Sequence, residues 1–209
     1  KKYSFNTNIF KKWSDNMAYL LGWISADGCI EYIENNRYKL VFDLAEKEPL
    51  NIFKDILNAD HPIHKNDRSE EKNSITYSLQ LRDKEFIEDI IDLGINPDKT
   101  FDLEMPDVPD EFLNHYIRGV FEGDGSAFIL DRPNNRKQLN TKITSASKEF
   151  IRDIGDTLQN EIGLIPKIYD SGSNGNTHWT LRYGGKESFK LYKYLGPILN
   201  DMLNRIDFL

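Results

Sequence analysis

The strongest constraint on the fold is that the chain repeats itself. Ala18-Tyr19-Leu20-Leu21-Gly22-Trp23-Ile24-Ser25-Ala26-Asp27-Gly28 returns in pattern as His115-Tyr116-Ile117-Arg118-Gly119-Val120-Phe121-Glu122-Gly123-Asp124-Gly125, an offset of 97 residues from Asp27 to Asp124. The correspondence then continues with little drift. Leu44-Ala45-Glu46-Lys47-Glu48 lines up with Ser145-Ala146-Ser147-Lys148-Glu149, Tyr77-Ser78-Leu79 with Trp179-Thr180-Leu181, and Leu93-Gly94 with Leu195-Gly196. Several matches in one order at nearly one spacing indicate two copies of one folding unit. The halves are expected at 1–105 and 106–209, joined through the proline-bearing stretch 96–109.

Each half reads helix, two strands, helix, two strands, helix, an α+β pattern. Ser14 is a good N-cap with Asp15 in the first turn, so the first helix runs from there to Gly28. Its counterpart begins near Asp107-Val108-Pro109-Asp110-Glu111 and ends at Gly125. After each Asp-Gly the period changes to two. Arg37, Lys39, Val41 and Asp43 alternate with Tyr38, Leu40, Phe42 and Leu44, and Gln138, Asn140, Lys142 and Thr144 with Leu139, Thr141, Ile143 and Ser145. Ser74 to Arg82 and His178 to Tyr183 alternate in the same way. Further helices are expected over about 49–57, 83–93, 148–162 and 186–195, and Ser171 to Asn176 reads as a hairpin turn.

The repeated helices carry small residues four apart, Gly22 with Ala26 and Gly119 with Gly123. Glycine inside a helix costs about 1 kcal/mol relative to alanine, so three of them call for an offsetting gain. Close approach of two helix backbones supplies one; the plainer alternative is local irregularity in ordinary core helices. Asp27 and Asp124 stand at helix C-termini, where the macrodipole disfavours an anion by about 0.3–1 kcal/mol. Two parallel, side-by-side helices would bring both carboxylates to one end of the pair. Paired carboxylates with room for water and phosphate suit Mg²⁺, with Ca²⁺ or Mn²⁺ as substitutes. Two such sites flanking the scissile phosphates would let metal activate water and neutralise developing charge on the leaving oxygen.

The two segments ending Ser25-Ala26-Asp27-Gly28 and Glu122-Gly123-Asp124-Gly125 resemble the two motifs of a monomeric LAGLIDADG homing endonuclease, and the likeness extends over nearly the whole chain. The resemblance implies two α-β-β-α-β-β-α halves, motif helices at the interface, and antiparallel sheets forming a saddle over DNA. It implies metal at Asp27 and Asp124, with backbone support from Ala26, Gly28, Gly123 and Gly125. Ser25 stands where many members have an acid and Glu122 keeps one, so that position is not expected to be essential. Lys99 matches the segment that often places a catalytic-pocket lysine; in the second half the nearest cation is Arg205. Glu46 and Ser147 fall near the family's water-positioning polar residue. The implied activity is site-specific, Mg²⁺-dependent cleavage of double-stranded DNA at a long, pseudo-palindromic site by a monomer.

Charge distribution bears on that expectation. The net charge of −7 is awkward for a DNA binder, but residues 1–110 hold 14 Lys+Arg against 22 Asp+Glu, whereas 111–209 hold 13 against 12. Much of the acid lies on helices, at Glu85, Glu88, Asp89 and Asp92. The strand faces instead offer Arg37, Lys39, Asp43, Ser78, Gln80 and Arg82 in the first half. The second offers Arg132, Arg136, Lys137, Gln138, Asn140, Lys142, Thr144, His178, Thr180 and Arg182. Arg, Lys, Gln and Asn can read base edges in the major groove.

A second reading is a non-cleaving nucleic-acid binder of the same fold, such as an intron RNA splicing maturase or a regulator. A third, an intein-borne domain, is disfavoured because no terminal nucleophile-and-asparagine arrangement appears. No apolar run approaches the roughly 18 residues of a membrane span, and no signal-peptide core follows Lys1. The single Cys29 cannot make an intrachain disulfide, and no Cys/His set has zinc-finger spacing, so a cytoplasmic protein is expected, bacterial or phage-encoded ahead of organellar. His61 and His64 read as a surface loop, His115 as packing or cap, and Cys29 as a small strand residue.

Overall fold

The computed structural model describes residues 2–34, 37–67, 75–97, 99–134, 136–172 and 177–198. Its elements follow the repeat. The first half holds α1 (Asp15–Ala26), β1 (Cys29–Glu34), β2 (Arg37–Leu44), α2 (Glu48–Leu57), β3 (His64–Asp67), β4 (Ile75–Leu81) and α3 (Lys84–Asp92). The second holds α4 (Leu113–Asp124), β5 (Gly125–Arg132), β6 (Arg136–Ser145), α5 (Lys148–Ile162), β7 (Ile168–Asp170), β8 (Trp179–Gly184) and α6 (Lys186–Leu195). Short 3-10 turns precede α1 and α4, at Ile9–Lys11 and Asp110–Phe112. Each half builds one antiparallel four-stranded sheet, in the order β1-β2-β4-β3 and β5-β6-β8-β7. Among the described residues no helix is long and apolar enough to cross a membrane.

Local chemistry sets the boundaries. Ser14 caps α1 by accepting from the Met17 N–H, and Asp83 and Ser147 do the same for α3 and α5. Gly163 ends α5 at a φ of 63°, a left-handed conformation that costs glycine nothing. The alternating strands put Leu40, Phe42, Leu79 and Leu81 inward in one half and Leu139, Ile143, Leu181 and Tyr183 in the other, all buried. Phe53 of α2 and Phe86 of α3, and Phe150 of α5 and Leu191 of α6, are buried in the same core. Each such side chain contributes about 1.5–3 kcal/mol of burial. Helix α1 departs from the usual one-sided pattern, since Met17 through Ser25 are all buried between its sheet and α4.

The joint between halves is pinned to the second one: Ser147 Oγ donates to the Leu103 carbonyl (2.6 Å), and the Met105 N–H donates to Asp153 (3.1 Å). His64 opens strand β3 rather than sitting in a loop, and His61 packs against the rings of Tyr3 and Phe5. The Ser171 N–H donates to the His178 carbonyl (2.8 Å) across the mouth of the expected hairpin turn, whose residues 173–176 lie outside the described ones.

Candidate metal and nucleic-acid site

The site begins with a contact only glycine permits. A Cβ on Gly22 would stand 2.1 Å from the Tyr116 carbonyl oxygen, and one on Gly119 2.2 Å from that of Tyr19. Helices α1 and α4 therefore run side by side in the same direction with backbones touching. One turn on, a Cβ on Gly123 would fall 2.6 Å from the Ala26 Cβ and 3.1 Å from Asp27 Oδ2. That missing methyl leaves space for the Asp27 carboxylate.

Two polar crosslinks fix this approach, related by the same offset of 97 residues. The Tyr116 hydroxyl lies 2.8 Å from Ser25 Oγ, which donates to the Leu21 carbonyl (3.0 Å). In the pseudo-symmetric position the Tyr19 hydroxyl donates to Glu122, which also accepts from Trp23 Nε1 at 3.4 Å. The Arg118 guanidinium lies 4.4 Å above the Tyr19 ring. Burial, and then the Glu122 charge, raise the Tyr19 pKa and keep its hydroxyl a donor. Position 25/122 thus joins the helices. Sequence reasoning missed this pairing, although the matched spacing of Tyr19 to Ser25 and Tyr116 to Glu122 was visible in the repeat.

Below the crossing both helices end on an aspartate. Asp27 caps α1, its N–H donating to the Trp23 carbonyl (2.9 Å), and Asp124 is the last residue of α4. The following glycines serve space rather than handedness, for neither has positive φ. A Cβ on Gly28 would lie 2.7 Å from Ile24 Cα, and one on Gly125 2.3 Å from the Phe121 carbonyl oxygen. Each glycine lets a strand leave its helix end at once.

Lys99 reaches this end from the joint. Its Nζ donates to the Ser25 carbonyl (2.6 Å) and lies 3.5 Å from that of Ala26, occupying orphan acceptors at the negative end of α1. Desolvation lowers its pKa, opposed by Asp124 and Asp27. The Asp27 carboxylate is open to solvent on one side, yet desolvation on the other raises its pKa against the pull of Lys99. Asp124, more enclosed, is pushed up to about 7 by desolvation and by the Asp27 charge, with Lys99 opposing. Two desolvated carboxylates at one end of the helix pair, the Asp27 charge adding to the rise at Asp124, fit a divalent cation, which would relieve both. Among the described residues no group of three His, Cys, Asp or Glu side chains converges on a metal position. The remaining ligands would be backbone carbonyls such as those of Ala26 and Gly123, water and substrate phosphate.

The other expected site residues divide. Glu46 is exposed between β2 and α2. Ser147 is corrected: 1% exposed, it caps α5 and tethers Leu103, leaving nothing to orient a water. Arg205 lies outside the described residues. Cys29 opens β1 opposite Val41, and His115 lies 3.5 Å from Asp15.

On the sheet faces away from the core, register sets Lys39 beside Glu31, Asp43 beside Ser78, and Lys142 between Ser126 and Arg182. Arg37, Gln80, Arg82, Arg132, Arg136, Gln138 and Thr144 share these faces by alternation, and His178 precedes β8 in phase with Thr180. Four expectations are corrected. Ser78 (5% exposed), Asn140 (3%) and Thr180 (9%) are buried in the chain rather than exposed on these faces as expected. Lys137 falls in phase with Leu139 and so points off the opposite face. As expected for the acid, Glu85, Glu88 and Asp92 are exposed on α3, and Asp89 pairs with Lys11 (2.6 Å).

Glycine-apposed helices that end in paired aspartates and feed two antiparallel four-stranded sheets define the LAGLIDADG homing endonuclease fold. A family model described as a LAGLIDADG-like domain matches residues 111–195, within the second half. The chain is similar to the homing endonuclease I-WcaI bound to its DNA recognition sequence, at TM-score 0.64 and 15% identity over 95% of this chain and 90% of that one. It is also similar to I-DmoI in complex with DNA and Ca, at TM-score 0.58 and 15% identity over 98% and 100%. The N-terminal LAGLIDADG domain of DUF199/WhiA aligns at TM-score 0.52 and 17% identity over 93% and 91%. In sequence, an uncharacterized protein of Methanocaldococcus jannaschii is 28% identical over 191 residues, 89% of this chain. The chain spans about a fifth of that relative's length (21%).

Proposed function

We propose that the chain is a divalent-metal-dependent endonuclease that cuts both strands of a long, pseudo-symmetric duplex DNA site as a monomer. The observation that supports this reading most is the pair Asp27 and Asp124 at one end of the helix pair, with Asp124 pushed up to about 7. The similar structures captured with DNA, and with Ca or Mn, agree with it.

Asp27 and Asp124 would hold the metal, Mg²⁺ in the working enzyme, and must both be ionised to do so. The cation supplies positive charge against the transition-state phosphate and lowers the cost of ionising a water. Lys99, fixed on the Ser25 carbonyl, adds a second positive charge at the same end. Glu46, exposed beyond β2, is the residue left to orient an incoming water in the first half. The exposed sheet faces bind the duplex and place its scissile phosphates under the helix ends. The glycine contact and the two tyrosine crosslinks hold the aspartates in register, so little reorganisation accompanies reaction.

Cleavage selection from a randomised duplex library with Mg²⁺, beside a chelator control, tests the proposal. Enrichment of one long, partly symmetric site cut on both strands is the expected result. A sequence that is selectively retained but never cut would replace it with the non-cleaving binder.

A further inference from the structure

The two sheets present opposite electrostatic designs to whatever lies across them. On the first, Lys39 Nζ is 2.8 Å from Glu31, its register partner, and also reaches Gln80 (3.4 Å). Arg37 pairs with Glu34 at 3.1 Å, Arg82 donates to Gln80 (3.3 Å), and Asp43 is exposed on the same face. Two of the three cations there, Lys39 and Arg37, are held by carboxylates; Arg82 bonds a neutral amide, and Asp43 adds a third negative charge. A phosphate approaching Lys39 or Arg37 must first displace an anion already in place.

The second sheet carries Arg132, Arg136, Lys142 and Arg182 on the corresponding face, and among the described residues no carboxylate pairs with any of them. Their partners are neutral: Arg132 Nε donates to Gln138 (2.8 Å), Arg136 Nε to the Pro133 carbonyl (3.5 Å), and the Arg182 guanidinium lies 5.3 Å from the Phe128 ring centre. These contacts orient the side chains and leave their charge unspent. Gly184 makes room for them, since a Cβ there would sit 2.6 Å from the Gln138 amide nitrogen. The face is also concave. A hollow of about 450 Å³ is lined by Leu130, Arg132, Asn140, Lys167, Tyr169 and Arg182, with only Lys167 committed to an acid, Glu187.

We infer that the second sheet is the anchor. It supplies most of the salt-dependent affinity for duplex DNA, whereas on the first sheet Lys39 and Arg37 engage only by exchanging their ion pairs for phosphates. The inference rests on the DNA-binding reading above. Each phosphate contact contributes about 0.9 to the slope of log affinity against log salt, so the asymmetry is measurable without a known target. It also reconciles an acidic chain with DNA binding, because what matters is the field of one face.

The test is the salt dependence of binding to a fluorescein-labelled duplex of random sequence, without metal, for the whole chain and two triple variants. Arg132→Gln/Lys142→Gln/Arg182→Gln should lower the slope by roughly 2 to 3 and weaken binding at least about tenfold. Arg37→Gln/Lys39→Gln/Arg82→Gln should lower it by less than about 1, and Glu31→Gln, which releases Lys39, should raise it. Thermal melts establish that each variant folds. Equal losses from the two triples, or a larger loss from the first-sheet set, would overturn the anchor while leaving DNA binding intact. Failure of the unmutated chain to bind, or no loss from either triple, would remove the anchor together with the sheet-face reading.

Discussion

The two helix bases carry the same aspartate in different surroundings. Asp27 is open to solvent at the end whose carbonyls Lys99 occupies, whereas Asp124 is more enclosed and feels Asp27 as a repelling charge. The crosslinks above them differ in the same sense, a neutral Tyr116–Ser25 contact against Tyr19 donating to the Glu122 carboxylate. Backbone placement has stayed symmetric because the glycine contact admits no side chain on either helix. The electrostatics around it have drifted apart. In this fold, geometry is held by the repeat and chemistry is tuned half by half.

If the symmetric part is as described, Gly22→Ala and Gly119→Ala should be equally severe. Each sets a methyl about 2 Å from a carbonyl oxygen that no rotamer change can move, at a cost of roughly 3–5 kcal/mol in denaturant unfolding. A mild effect at one glycine would break the symmetry. Next in size is Lys99→Met, which should slow cleavage roughly 10- to 100-fold by analogy with other lost electrostatic contacts. Because Lys99 opposes the upward shift of both carboxylates, its loss should also move the pH–rate profile to higher pH.

The Asp124 shift has a stability consequence of definite sign. An unfolded aspartate titrates near 4 and the folded one at about 7. As pH rises between these values the unfolded chain ionises first, so metal-free stability falls across that window and stays low above it. Asp124→Asn should therefore stabilise the metal-free protein at pH 8 by about 1–3 kcal/mol and change little at pH 4, read from melting temperatures at the two pH values. Added Mg²⁺ should stabilise the unmutated chain and not the variant. The smallest effects fall on the crosslinks: Ser25→Ala should cost about 1 kcal/mol and Glu122→Gln a similar amount, both read from denaturant unfolding.

Much of this frame was legible from the sequence. Helices Lys148–Ile162 and Lys186–Leu195 lie where caps and apolar spacing put them, and the interior glycines stood out because a glycine in a helix needs a compensating contact. The joint between strand faces and core was legible in outline, since alternation assigns a face. It does not say how deeply each position is buried, which is why Ser78, Asn140 and Thr180 were expected within reach of DNA and are buried instead. Lys137 was misplaced by grouping residues on composition where phase decides. Ser147 shows a deeper ambiguity: a serine before Lys-Glu-Phe reads equally as a helix cap or a site residue, and only the Leu103 carbonyl beside it chooses. The Tyr19–Glu122 and Tyr116–Ser25 pairs needed the crossing of two helices, which no local pattern encodes.

The central claim is that Asp27 and Asp124 form one metal-holding centre that serves both strands. Strand-resolved cleavage of a selected target with Mg²⁺ by Asp27→Asn and Asp124→Asn tests it most directly. Each variant should fold, bind the target, and lose double-strand cutting by about a thousandfold or more, with at most slow nicking of one strand. Either variant cutting both strands at the unmutated rate would contradict the account.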